Sequence, residues 1–224
     1  MNLYLKIILF YLPLLITTLI LGFINKKIKW YFWILAIFTG MLAIIPTVAI
    51  QFLFNLPKSD SLFMILLTCL LMNGITEEFC KGACSMLMLP KKHDFMQFFL
   101  LCLISGLSFG TFENVIYLIS GTKNVELRMV TAMLIHVICA GLDGMFVWAL
   151  FQKKFRIRPL ISSIFVHGLY NFFANLPGYF KLLLIVILLY GIFDLILLVQ
   201  IYARDKSESK TDSSSEEASS KDVK

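Results

Sequence analysis

Seven long apolar stretches divide this chain, and they limit what it can fold into. They cover residues 3–24, 30–54, 61–89, 95–120, 126–151, 159–176 and 180–202. A helix needs about 20 apolar residues to cross the hydrocarbon core of a bilayer, so each stretch is long enough, or nearly so. With 59% hydrophobic and 15% charged residues, the composition agrees. The sequence therefore predicts an all-α membrane bundle of about seven transmembrane helices.

Basic residues predict the orientation of these helices. They concentrate in alternate connectors, at 26–29, 91–92 and 153–158. Because Lys and Arg in short loops favour the cytoplasmic side, we expect the N-terminus outside and the C-terminus inside the cell. Beyond residue 203 the chain is rich in Ser, Lys, Asp and Glu and lacks aromatic residues. Residues 1–203 are therefore predicted to form the membrane domain, and 204–224 a disordered cytoplasmic tail.

The net charge of +6 is assigned to topology and to contact with anionic membrane lipid. No interleaving of basic and aromatic residues suggests a nucleic-acid partner. All five cysteines fall within predicted spans, which argues against an extracellular disulfide framework.

Several ionisable residues interrupt the apolar stretches. An ionised side chain at the centre of a membrane helix costs about 2.5–3.5 kcal/mol, so such groups normally face a protein interior or a water-filled cavity. The sequence therefore predicts a reaction centre inside the membrane. Its candidate members are Glu77, Glu78, Lys81, Glu113, His136, Asp143 and His167.

The paired acids Glu77 and Glu78 carry the strongest chemical signal. Lys81 follows them by four and three residues, within reach of both along a helix. Two adjacent carboxyls in a low-dielectric site cannot both ionise cheaply, so one stays protonated while the other is available as a base. That division suits general acid–base chemistry. The alternative is a polar clasp between helices without chemistry.

Two further candidates lie on the next two stretches. Glu113 follows a run of small residues that permits close helix approach, which would bring it to Glu77. Its alternative role is an acid that extends to the membrane surface. His136 has Asp143 seven residues later on nearly the same helix face, where Asp143 would orient its neighbours. A hydrogen bond between helices is the alternative for His136.

His167 and Asn171 are spaced four residues apart and project from one face of a short helix. Together they could donate two hydrogen bonds to one oxygen, as a developing oxyanion requires. The alternative is a polar zipper between helices.

The ordered set resembles the PrsW family of intramembrane peptidases, relatives of the CAAX-protease and bacteriocin-processing group. It comprises Glu77-Glu78-x-x-Lys81, Phe109-x-x-x-Glu113-Asn114, His136 and His167-x-x-x-Asn171. The CAAX-protease relatives have Phe-x-x-x-His as second motif and a more distant arginine in the first. Here Glu113 and Lys81 occupy those places, which favours the PrsW branch.

The resemblance implies a glutamic-type or metal-assisted endopeptidase of the bacterial cytoplasmic (inner) membrane. Its substrate would be a single-span membrane protein such as an anti-sigma factor, cut at an extracytoplasmic site. In our hypothesis Glu77, assisted by Glu78, deprotonates a water molecule while His167 and Asn171 stabilise the oxyanion. Glu113 and His136 would hold the water or a helper group.

Three alternatives accompany this hypothesis. No His-Glu-x-x-His motif demands a metal, so the sequence requires no cofactor, but a zinc version would use Glu113, His136 and His167 as ligands. A proton- or ion-coupled transporter could use the same acids and histidines as a relay, although no internal repeat is evident. A scaffold or haem protein could use both histidines as axial ligands.

Overall fold

The computed structural model is all-helical over the residues that it describes, 3–54, 61–121 and 125–221, which confirms the predicted fold class. Within these ranges, side chains are described for all residues except 125–129 and 205–221. The helices are α1 (Leu3–Ile24), α2 (Trp30–Leu53), α3 (Leu62–Thr68), α4 (Glu78–Ser85), α5 (Phe95–Ile119), α6 (Val125–Phe151), α7 (Arg158–Asn175) and α8 (Leu182–Lys221).

A π-helical segment, Cys69–Glu77, joins α3 to α4 within one rod that spans Leu62–Met88. Side chains hydrogen-bond to backbone carbonyls inside this segment. Thr76 Oγ1 donates to the Leu71 carbonyl at 3.0 Å, and Gln51 Nε2 of α2 donates to the Met72 carbonyl at 3.0 Å. π-Helical turns are rare and frequently mark functional sites, and this one ends at the first of the paired acids.

Within the described residues, six helical segments are long and apolar enough to cross a membrane, as expected of an integral membrane protein. They are Leu3–Ile24, Trp30–Leu53, Leu62–Met88, Phe95–Ile119, Val130–Phe151 and Gly178–Arg204. The remaining predicted stretch, 159–176, also forms a helix, α7, but its Ser, His and Asn side chains make it more polar. It tolerates them because it packs against the π-helical segment, α6 and α8. The direction in which the helices cross stays a prediction.

Helices α5 and α6 form the centre of the bundle, and small residues let them approach closely. A Cβ added at Gly106 would lie 2.3 Å from the His136 carbonyl oxygen. One added at Gly40 of α2 would lie 2.1 Å from the Ser105 carbonyl oxygen of α5. Since neither separation is sterically possible, these glycines set the spacing of the helices that carry the site residues.

The last helix is tied to α7 by an ion pair. Arg158 Nη2 lies 3.1 Å from Asp194 Oδ1, whose side chain is buried. The backbone of α8 continues as helix to Lys221, whereas its side chains are described only up to Arg204. The assignment of 204–224 to a separate disordered tail therefore stays a prediction.

Replacing Gly40 by Ala should destabilise the bundle, because the new methyl group would overlap the backbone of α5. Overpacking of this kind costs about 1–3 kcal/mol. For a chain of this size it should lower the thermal unfolding midpoint in detergent by roughly 2–12 °C. Gly22→Ala is the matched control, since its Cβ would meet only Trp33 atoms at 3.7 Å. Equal midpoints for the two variants would contradict the close approach of α2 and α5.

Candidate active site

Four elements deliver the predicted acids and histidines to one buried region. Glu77 ends the π-helical segment, Glu78 begins α4, His136 lies on α6 and His167 on α7, and each is at most 2% exposed. Glu113 of α5 adjoins them and is 15% exposed, so it is the most accessible acid of this group. The convergence that the sequence predicted is therefore present in the fold.

The imidazole of His167 lies between the two adjacent acids. Its Nδ1 atom is hydrogen-bonded to Glu78 Oε1, and its Nε2 atom lies 3.7 Å from Glu77 Oε2. Neighbouring residues of the rod thus contact opposite edges of one ring on α7. This contact places Glu77 and His167 close enough to act on the same water molecule.

Glu78 has further partners that hold it in place. Lys81 Nζ donates to Glu78 Oε1 at 2.7 Å, the i, i+3 contact that the spacing predicted, and Ser163 Oγ donates to Glu78 Oε2 at 3.1 Å. The Lys81 ammonium also lies 5.2 Å from the centre of the Phe109 ring, within range of a cation–π interaction. With both oxygens engaged, Glu78 is suited to orient His167.

His136 is held by Glu113. Its Nε2 atom lies 2.9 Å from Glu113 Oε2, while its Nδ1 atom has no hydrogen-bond partner among the described residues. The rings of His136 and His167 meet edge to face, with centroids 4.9 Å apart at 84°. Glu113 therefore joins the site through His136, and it also lies within electrostatic range of Glu77, the neighbour that the sequence predicted.

Two amide side chains that the sequence analysis did not single out hold Glu77. Gln51 Nε2 and Asn73 Nδ2 donate to Glu77 Oε1 at 3.1 and 3.0 Å. Glu77 Oε2 has no hydrogen-bond partner within the described chain. The four-residue spacing of Asn73 and Glu77 could have indicated this contact, but nothing in the sequence connects Gln51 to it.

Asn171 adjoins His167, and Asp143 adjoins Glu78 and Lys81. Asn171 Nδ2 points to the backbone carbonyl of His167 at 3.4 Å, so its predicted oxyanion role stays a prediction. Asp143 is 1% exposed. It lines a cavity of about 10 Å³ together with Lys81, Ser85, Cys102, Ser105 and Ala140. That volume is enough for about one water molecule.

The site offers a set of metal ligands. Glu77, His136 and His167 each present one ligand atom, and these atoms lie within 4.8 Å of one another. Two imidazoles and one carboxylate are a known donor set of open catalytic zinc sites. The zinc hypothesis from sequence named Glu113 as the acid, but Glu113 contacts His136 and Glu77 completes the group.

The surroundings of the two histidines also fit a metal. Each ring has a carboxylate on one nitrogen, Glu113 on His136 and Glu78 on His167. Outer carboxylates of this kind orient metal-binding imidazoles in proteins. The unpaired oxygen of Glu77 and the unpaired nitrogen of His136 are buried polar atoms that a cation would satisfy.

A comparison with protein families supports the resemblance found in the motifs. The model of the family described as PrsW family intramembrane metalloprotease matches residues 28–198, which include every site residue named above. No curated protein and no solved structure matches the chain.

Replacing Lys81 by Met should destabilise the protein strongly, because it leaves the Glu78 carboxylate buried without its cation. Breaking a buried ion pair from one side costs about 3–5 kcal/mol. Thermal unfolding in detergent measures the loss, and adding Glu78→Gln to Lys81→Met should restore part of it. Lys92→Met, at an exposed lysine, is the control. A midpoint for Lys81→Met equal to that of the control would refute the buried pair.

Proposed function

Because the chain belongs to the PrsW family of intramembrane metalloproteases, we propose that the site around Glu77, His136 and His167 hydrolyses a peptide bond of a membrane-anchored protein. Membership of the family identifies the chain as an intramembrane peptidase. It also favours this activity over the ion-coupled transporter and the haem protein that the same residues suggested. The contact of Glu77 with His167 is the observation that carries the proposal.

The partners of the buried acids support a bound divalent cation. Glu77, Glu78 and Asp143 are all at most 2% exposed, and Lys81 Nζ pairs with Glu78. Buried polar atoms normally have a partner, and Glu77 Oε2 has no hydrogen-bond partner within the described chain. A divalent cation held by Glu77, His136 and His167 would supply one. We propose zinc, which would supply Lewis acidity to the reaction.

The side chains of the site have different roles in the proposed reaction. The free Oε2 of Glu77 faces the reaction centre, where it takes the proton of the attacking water in a glutamic-type mechanism or serves as a ligand in a metal-assisted one. Glu78 and Glu113 fix the orientation of His167 and His136. Burial of these groups keeps bulk water out, which strengthens each electrostatic interaction.

The substrate that we propose is a single-span membrane protein, such as an anti-sigma factor, cut at an extracytoplasmic site in the bacterial inner membrane. The motif resemblance supports this class. A comparison of membrane proteomes with and without active protein would identify the substrate as an uncut single-span protein that accumulates in the inactive strain.

Glu77→Gln should abolish cleavage of that protein, because the amide can neither accept the proton nor bind a cation as a carboxylate does. Loss of a general base lowers the rate by about 10²–10⁴-fold. The measurement is the cleavage rate in reconstituted membranes. Asp194→Asn is the control, since it removes a buried acid that pairs with Arg158. Cleavage by Glu77→Gln at the wild-type rate would end the assignment.

Removal of metal should abolish cleavage if the cation takes part. Purified protein is expected to contain about one zinc per chain by elemental analysis, to lose activity when the chelator-treated sample is metal-free, and to regain it with stoichiometric zinc. Full activity in a verified metal-free sample would instead select the glutamic-type mechanism.

A further inference from the structure

The two adjacent acids of the site have chemically different partners. Glu78 is held by an ammonium group, that of Lys81, whereas Glu77 Oε1 receives hydrogen bonds from two neutral carboxamides. An ammonium cancels the charge of a carboxylate, but a carboxamide orients it without neutralising it. Within the described chain no ammonium or guanidinium group is hydrogen-bonded to Glu77, so its carboxyl group remains available for a proton or a cation.

Both amide donors select the same oxygen of Glu77. The terminal torsion of a glutamate is broad and roughly two-fold, so without restraint either oxygen could turn towards the histidines. Gln51 Nε2 and Asn73 Nδ2 both donate to Oε1, at 3.1 and 3.0 Å. Oε2 is left unbonded within the described chain and lies 3.7 Å from His167 Nε2. The restraint therefore decides which oxygen enters the reaction centre.

The π-helical segment builds this arrangement. Asn73 belongs to the segment, and Gln51 reaches it from α2 with one Nε2 group that also donates to the Met72 carbonyl. A Cβ added at Gly74 would lie 2.7 Å from the Ile164 carbonyl oxygen, so the segment is pressed against α7. The segment, α2 and α7 thus hold Asn73, Gln51 and His167 in a fixed relation to Glu77.

We propose that Gln51 and Asn73 form an amide clamp, a pair of positioning residues that hold Glu77 Oε1 and thereby present Oε2 to a cation shared with His136 and His167. This inference rests on the metal-assisted form of the proposed function. It adds two residues to the site that lie outside the motifs of the sequence analysis.

The test uses full-length protein in detergent and Co²⁺ as the probe, since its visible spectrum reports coordination directly. Gln51→Met and Asn73→Leu remove the donors while keeping similar side-chain volumes. Loss of a group that orients a ligand lowers metal affinity by about 10–100-fold, so each variant should bind Co²⁺ at least about tenfold more weakly, with an altered spectrum. Gln152→Met, at an exposed glutamine, should bind Co²⁺ like the wild type.

The Asn73→Leu variant tests whether the amide positions Glu77 or only stabilises the fold. Gln51 also binds the Met72 carbonyl, so Gln51→Met can weaken the Leu62–Met88 rod itself, whereas the side chain of Asn73 donates to Glu77. Weaker Co²⁺ binding by Asn73→Leu at an unchanged unfolding midpoint would support the clamp. Weaker binding confined to Gln51→Met would overturn it and assign Gln51 to the backbone of the rod.

Failure of the clamp and failure of the proposed function give different results. If the wild type binds Co²⁺ and both variants match its affinity and spectrum, the clamp is wrong and the metal site stands. If the wild type binds no divalent cation, the metal-assisted function and the clamp that depends on it are both wrong.

Discussion

The placement of one imidazole between two consecutive carboxylates is the interaction on which the site depends. In a bilayer no bulk water compensates a misplaced polar group, so His167, Glu77 and Glu78 must satisfy one another or be satisfied by neighbouring helices. Their contact requires the rod that carries Glu77 and Glu78 to have one particular rotation about its own axis, so that both acids face α7. The π-helical segment and the close packing of Gly74 on α7 provide that rotation.

The absence of bulk water in the bilayer also explains why the site residues form a network of hydrogen bonds and ion pairs. Glu78 accepts hydrogen bonds from Lys81 and Ser163, Glu113 pairs with His136, and Glu77 accepts hydrogen bonds from two amides. A half-satisfied buried network is less favourable than an apolar core, and Glu77 Oε2 and His136 Nδ1 have no hydrogen-bond partner in the described part of the chain. A bound cation would give such atoms a partner, which agrees with the metalloprotease description of the family.

The sequence predicted the parts of this fold that depend on local pattern. The first apolar stretch matches α1, Leu3–Ile24, and the fourth matches α5, Phe95–Ile119, to within one residue. The contact of Lys81 with Glu78 follows from spacing along a helix. The π-helical segment has the same apolar composition as an α-helix, so no pattern distinguishes it. Gln51 and Glu113 depend on the rotation of separate helices about their axes, which spacing within one helix does not specify.

The polarity of α7 shows how function and membrane insertion oppose each other in this chain. Ser163, His167 and Asn171 make α7 a poor candidate for a span by hydropathy, yet all three are buried. They tolerate the bilayer because the π-helical segment, α6 and α8 surround the helix that carries them. An apolar replacement of this face would favour insertion but would leave Glu77 and Glu78 buried without the imidazole between them. A helix that its composition disfavours as a membrane span is therefore one that the reaction centre requires.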